Sequence, residues 1–338
     1  MPTPFDHQSL WDEHFAERYP ASPLAARLWQ TVGVKTRHAV IDPRVEDVSS
    51  WPTSRRMTRF TDEVGPLGRA AVERALRDAG VAAAQVGLFA VVSCTGFGAP
   101  GPDVTLARDL GMDPGVRRLA INGMGCYAAL PALASAADFV RAQGKVAVVL
   151  CVELTSLHAQ PPEPADIEQL VAHALFADAA AAVVLTPNAA GLQVVDVAAA
   201  VAPDTTNEMT WAITDTGFRM RLSAGVPDVL AHQVGPLVER LLADQQLNPA
   251  DVKHWAIHPG GPRILDAAVQ ALDLADSAVD VSRRVLERFG NCSSATVLLV
   301  LDELRNTRPL QDGEHVIAMT FGPGLTIYAA LLRHGAPV

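Results

Sequence analysis

Short, nearly unbroken apolar runs recur along the chain: Gly87–Ser93, Val146–Leu154, Ala179–Thr186, Leu192–Val201, Val252–Ile257, Val316–Phe321 and Leu325–Leu332. Runs of this length predict strands buried on both faces. Between them lie segments whose apolar residues recur with helical spacing: Gly65–Ala79, Asp103–Leu110, Tyr127–Ala142, Ile167–Ala172, Pro227–Leu242, Gly261–Leu272, Ala278–Phe289 and Ser293–Arg305. In Tyr127–Ala142 the stripe is Leu130, Leu133, Ala137 and Val140. Alternation of the two patterns predicts an α/β architecture. A Pro-rich loop is expected at Ala159–Ala165. A break near Asn188-Ala-Ala-Gly191 divides the chain into an N-terminal half, 1–190, and a C-terminal half, 191–338.

Three polar residues stand where these elements end. Cys126 sits between Gly123, Gly125 and an apolar helix, where a helix N-terminus is expected to lower a thiol pKa. His258 ends a strand ahead of Pro259-Gly260-Gly261, and Asn291 follows Gly290 just before another helix. Each has a bland explanation: a buried small side chain for the cysteine, a turn hydrogen bond for the histidine, a helix cap for the asparagine. A rigid scaffold can also aim all three at one point. The Gly-turn-helix pattern at Gly125-Cys126 recurs at Gly290-Asn291, consistent with two similar halves.

Charge and length narrow the classes. With 338 residues the chain can form two fused halves, and 49% hydrophobic residues suit a large core. A net charge of −10, no basic block and 5% aromatics argue against nucleic acid as a partner. No apolar run reaches membrane-spanning length, and the N-terminus lacks a signal-peptide pattern, so no membrane partner and a cytoplasmic location are expected. Cys94, Cys126, Cys151 and Cys292 have no paired spacing that indicates a zinc site or disulfide framework. An anionic substrate needs a local basic mouth, for which Ser54-Arg55-Arg56-Met57-Thr58-Arg59 is the candidate beside the plainer reading of a solvated helix face.

Four segments together resemble the type III polyketide synthases, the chalcone synthase-like branch of the thiolase superfamily. They are Gly125–Ala129 around the cysteine, Trp255–Gly261 around the histidine, Phe289–Ser294 around the asparagine, and Thr320–Thr326 with its Phe-Gly-Pro-Gly turn. Ser93–Phe97 and Leu175–Asp178 extend the match, in family order. The resemblance implies a thiolase-like five-layer αβαβα fold of two similar halves, a homodimer, acyl-CoA and malonyl-CoA as substrates, and no metal or cofactor.

It also implies roles. Cys126 carries the acyl chain, while His258 and Asn291 hold the enolate oxygen formed when a malonyl thioester loses carbon dioxide. Phe176 matches the aromatic gatekeeper of the coenzyme A tunnel. Its usual Phe-Gly-Asp-Gly context is here Phe-Ala-Asp-Ala, which points to a different local backbone. Met220 replaces a second gatekeeper Phe, Trp211 a cavity Gly, His158 a Thr, and Cys94 a position that is Thr in chalcone synthases. Ser293 joins these as substrate-binding; Arg55 and Arg56 are candidates for the coenzyme A mouth from the basic cluster alone, not from the resemblance. The substitutions argue against a plant-type chalcone pocket. A ketoacyl synthase III-like enzyme condensing only once is the alternative, and a noncatalytic scaffold a further one.

Overall fold

The structure is a computed structural model that describes residues 1–19, 22–163, 165–187 and 190–335. Two four-stranded sheets organise it. In the first, strands run in the order Arg117–Ile121, Val86–Val92, Val146–Glu153, Ala179–Leu185, with the first three parallel and the last antiparallel. In the second the order is Val252–Ile257, His315–Gly322, Thr326–Gly335, Gly191–Val201; its first pair is parallel and the others antiparallel.

Side-chain alternation assigns the layers. Leu88, Ala90 and Val92 of the first sheet pack with Ala318, Ala330 and Leu332 of the second around Leu130, Leu133 and Ala136 and around Val297, Val300 and Leu304. Helices Ala129–Gln143 and Ala295–Thr307 are therefore sandwiched between the two sheets. The other parity of the first sheet, Phe89, Val91, Val148 and Leu150, packs on Phe60, Val64, Val72 and Leu76 of helix Thr53–Ala79. The outer face of the second sheet is covered by helices Val226–Ala243 and Pro262–Ala271. Helix, sheet, helix, sheet, helix is the five-layer arrangement, and both faces of each sheet are buried, which is why the strands read as continuous apolar runs.

The predicted strands and helices are all present, with ends shifted by a few residues except in one case. Helix Thr53–Ala79 begins a dozen residues before the expected Gly65. Gly65-Pro66 has the look of a helix start, yet Arg56, Phe60, Val64, Gly68, Val72 and Leu76 continue one buried stripe through Pro66. Packing on the sheet overrides the local signal. Three strands outside the predicted set form the exposed edge Arg117–Ile121 and the hairpin Met209–Thr214 with Gly217–Leu222. At the N-terminus, strand Thr3–Asp6 pairs with Thr36–Ala39. Asn188 and Ala189 of the expected break, and Pro164 of the expected loop, lie outside the described residues; Ala159–Glu163 carries neither helix nor strand.

Candidate active site

Cys126 lies in a single 3-10 turn, Gly125–Tyr127, that leads into helix Ala129–Gln143. Gly125 has φ +72°, and a Cβ on it would meet Pro323 Cδ at 2.8 Å. Gly322 answers from the other side, since its Cβ would come within 2.6 Å of the Tyr127 ring. The Phe321–Gly324 turn between two strands of the second sheet thus seats the cysteine turn. Glycine is needed on both sides for this approach.

His258 follows strand Val252–Ile257 and extends its pairing by one bond, donating its backbone N–H to Met319 O at 2.8 Å. The ring is buried and both nitrogens lack a protein partner among the described residues. Burial alone pushes its pKa down to about 3, so the imidazole is neutral.

Asn291 is fixed by its backbone. Its N–H donates to Leu175 O at 2.9 Å and its carbonyl accepts from Ala177 N at 3.0 Å, so it brackets the gatekeeper position Phe176. Gly290, at φ +71°, permits this: a Cβ there would stand 3.0 Å from Ala177 Cβ. The side-chain Oδ1 accepts from Ser293 N at 2.9 Å, which leaves the amide N–H₂ as the free donor end.

Ser293 ties the cysteines together. Its hydroxyl lies 3.3 Å from Cys94 Sγ and, of the neighbouring groups, pulls the Cys126 pKa down most. The expected lowering of the Cys126 pKa is corrected by the structure. Burial dominates and pushes it up to about 12, with the Ser293 hydroxyl pulling weakly the other way. A helix terminus does not outweigh the loss of water here, where no cation among the described residues acts on the sulfur. Burial thus favours the thiol form of Cys126 and the neutral form of His258.

The remaining predicted residues form a cavity wall. Phe176, Met220, Trp211 and His158 line one cavity. Trp211 and Met220 are cross-strand partners in the hairpin, and the Trp211 indole N–H reaches Cys94 O at 2.7 Å, which connects the cavity to the cysteine cluster. His158 stacks on Phe218 at 4.3 Å, accepts from Phe218 N through Nδ1 at 3.0 Å and faces Thr95 O through Nε2 at 2.6 Å. Only the Nε2–H tautomer satisfies both contacts. The different backbone expected at Phe176-Ala177-Asp178-Ala179 does not require glycine, because neither alanine has a positive φ.

The basic mouth requires a second correction. Arg56 is fully buried, and its guanidinium donates to the carbonyls of Trp51, Leu157, Ala159 and Ser49 at 2.6–3.0 Å. It staples the helix start to the chain around His158 and has no free edge for a phosphate. Arg59 is paired with Glu46 and Glu63. Arg55 is exposed, stacked over Trp51 at 3.7 Å.

Sequence reasoning missed Glu153. This buried carboxylate accepts from Cys94 N at 3.0 Å, Thr95 Oγ1 at 2.9 Å and the Ser294 hydroxyl, and burial raises its pKa. The signal was one acid ending an otherwise apolar strand, Val146–Glu153, which is costly unless partnered.

A thiol, an imidazole and an amide donor delivered by loops between two packed α/β halves define a thiolase-like acyl-transferring enzyme. Residues 26–189 match the domain described as "Chalcone and stilbene synthases, N-terminal domain", and residues 193–336 match the corresponding C-terminal domain. The chain therefore belongs to the chalcone and stilbene synthase family, the type III polyketide synthases, which are acyltransferases that catalyse decarboxylating condensation. It is 36% identical over 318 residues to the 1,3,6,8-tetrahydroxynaphthalene synthase of Streptomyces peucetius, covering 92% of this chain and 83% of that one. It is 33% identical over 322 residues to the alpha-pyrone synthesis polyketide synthase-like Pks18 of Mycobacterium tuberculosis, covering 90% and 81%. Among solved structures, the 1,3,6,8-tetrahydroxynaphthalene synthase of Streptomyces coelicolor superposes with a TM-score of 0.92 at 28% identity, covering 99% and 97% of the two chains. These likenesses carry the thiolase-like fold expected above.

Proposed function

We propose that the protein loads an acyl-CoA starter on Cys126, extends it repeatedly with malonyl-CoA and cyclises the product to a pyrone, resorcinol or related aromatic ring. The observation that carries this reading is that Cys126, His258 and Asn291 are all buried, with Asn291 Oδ1 occupied by Ser293 N and both His258 ring nitrogens without a partner among the described residues. His258 takes the Cys126 proton as the sulfur attacks the thioester carbonyl, and coenzyme A leaves as its thiol. The C–C bond of a malonyl thioester then breaks to release carbon dioxide. The electron pair collects on the thioester oxygen, where His258 Nε2–H and the Asn291 amide stabilise it. The enolate carbon attacks the acyl-Cys126 carbonyl, and Cys126 is freed for the next round.

The chemistry asks for no metal or cofactor beyond the coenzyme A thioesters. Phe176, Met220, Trp211, His158, Cys94 and Ser293 form the walls and floor, and Arg55 remains as the cation offered to coenzyme A. The chain divides at residue 190 into a half supplying the nucleophile and a half supplying His258 and Asn291. The reading extends to a homodimer, supported by the exposed edge strand Arg117–Ile121 with its exposed Leu119, and to a cytoplasmic location; among the described residues no helix is long and apolar enough to cross a membrane.

The test is incubation with acyl-CoA starters and malonyl-CoA, followed by mass analysis. Products with several malonyl-derived units support the reading. A single condensation would favour the ketoacyl synthase III-like alternative, and absence of malonyl-CoA decarboxylation a noncatalytic scaffold.

A further inference from the structure

The cavity that Phe176, Trp211 and Met220 line does not end with them. It continues to Phe5, Leu10 and Phe15 of the N-terminal segment, with Ile41 and Val48 completing an apolar arm. Those first three residues precede residue 26, where the match to the family domain begins. Part of the cavity wall thus comes from the segment ahead of the matched domain.

That segment is firmly seated. Strand Thr3–Asp6 pairs along Thr36–Ala39, the His7 ring stacks on Trp29 at 4.5 Å, and Tyr19 Oη lies 2.8 Å from His173 Nδ1. Arg37, buried under Trp29 at 4.9 Å and near Phe15 at 5.9 Å, donates to the carbonyls of His173 and Phe176. His173 belongs to helix Ile167–Leu175, whose end is Phe176. The N-terminal segment and the gatekeeper are consequently held by one set of contacts. Of the other polar groups along the arm, Gln169 Nε2 donates to Met220 O at 2.7 Å and Arg18 pairs with Asp47 at 3.6 Å at the solvent end, while His14 also lines the wall and His173 Nε2 has no partner among the described residues.

We propose that this arm receives the aliphatic tail of the acyl-CoA starter, and that Phe5, Leu10 and Phe15 limit the tail length accepted. The inference rests on the reading of Cys126 as the acyl acceptor. Trp211, bonded to Cys94 O, is the lining residue that brings the cavity nearest to the cysteine cluster, so a tail attached at Cys126 must pass this ring to enter the arm. The arm offers it mainly Phe, Leu, Ile and Val surface. Each methylene that moves from water into such surroundings favours binding about fourfold.

The full chain is loaded with decanoyl-CoA bearing a terminal diazirine, irradiated and digested with trypsin. In protein acylated at Cys126, the cross-link is expected in the peptide Met1–Arg18, which contains Phe5, Leu10 and Phe15. Cross-links confined to other peptides of Cys126-acylated protein overturn the arm but leave the acyl-acceptor reading intact. Failure to acylate Cys126 with any starter overturns both. As an independent measurement, Leu10→Trp is expected to lower the ratio of decanoyl to butanoyl turnover about tenfold or more, and Phe15→Ala to raise it. Unchanged ratios in both folded variants count against the proposal.

Discussion

The indole N–H of Trp211 donates a 2.7 Å hydrogen bond to the backbone carbonyl of Cys94. This bond sets a large ring, packed edge-on to His158 at 5.6 Å and Phe218 at 6.1 Å, against the loop next to the cysteine cluster. The ring is an anchored wall. Trp211→Gly is expected to lengthen the products or the accepted starters while Cys126 remains acylatable, because it opens the volume of an indole. Trp211→Phe keeps a ring but loses the bond, at a cost of about 1 kcal/mol in unfolding free energy. A Trp211→Gly protein that folds and gives the wild-type product profile across graded starters would show that the indole only fills core.

The nucleophile assignment predicts that an acyl-CoA adds one acyl mass to the intact protein and that Cys126→Ala abolishes the adduct. Cys94 is the informative control. Its sulfur shares the Ser293 hydroxyl and faces Glu153 Oε2 at 3.5 Å, and both burial and that carboxylate raise its pKa. Peptide mapping that places the acyl group on Cys94 in the wild type would reverse the assignment.

Asn291 and His258 are separable. Asn291→Asp keeps an acceptor for Ser293 N but removes the amide donor, so the backbone bracket around Phe176 should persist. Loss of one such donor lowers a rate roughly 100- to 1,000-fold. Malonyl-CoA decarboxylation is expected to fall by that order in Asn291→Asp and Asn291→Ala, with Cys126 acylation retained. His258→Ala should impair both reactions, since the imidazole also receives the thiol proton. Wild-type decarboxylation in either Asn291 variant contradicts the oxyanion role.

What the sequence revealed depended on how local each signal was. Gly125, Gly290 and the Pro259-Gly260 turn mark the ends of elements, and those marks sit beside the residues that the fold holds there, so Cys126, His258 and Asn291 were legible. The strands were legible because both of their faces are buried. Edge strand Arg117–Ile121, with two arginines and open exposure, carries no such pattern. Arg55 and Arg56 are neighbours in sequence but about 100° apart around a helix, so one faces solvent and the other the interior, and composition cannot say which. Phe5, Leu10 and Phe15 line one cavity with Phe176, Trp211 and Met220, more than 150 residues further along the chain, and such a long-range arrangement leaves no local trace.

The contrast between the two arginines is testable by substitution. Arg56→Met leaves the carbonyls of Trp51, Leu157, Ala159 and Ser49 without their donor, and each unsatisfied buried group costs about 1–3 kcal/mol. A loss of at least about 3 kcal/mol in urea unfolding is expected. Arg55→Met should leave stability nearly unchanged and raise KM for coenzyme A thioesters. A mild Arg56→Met phenotype with a raised KM would return Arg56 to the mouth.

Acid sensitivity follows from the buried imidazoles. Desolvation pushes His258 down to about 3, and His158 and His173 to about 4, against about 6.5 in an unfolded chain. Between pH 6.5 and those folded values the unfolded state binds the protons and the native state does not. Stability therefore falls with falling pH across this window, and each histidine's share is present in full above pH 6.5 and gone below its folded pKa. Glu153 and Asp178 act in the opposite direction, because burial raises their pKa values and the native state then holds more protons than the unfolded one. Substituting a single histidine isolates one contribution from this sum. His158→Gln, which can keep a side-chain donor near Thr95 O, should reduce the slope of unfolding free energy against pH near pH 5.3 by about 1.4 kcal/mol per pH unit, the value of one proton. The slope is read from urea unfolding between pH 7 and pH 4.5. A slope equal to wild type would mean that His158 is already protonated in the fold, contrary to its acceptance of the Phe218 N–H through Nδ1.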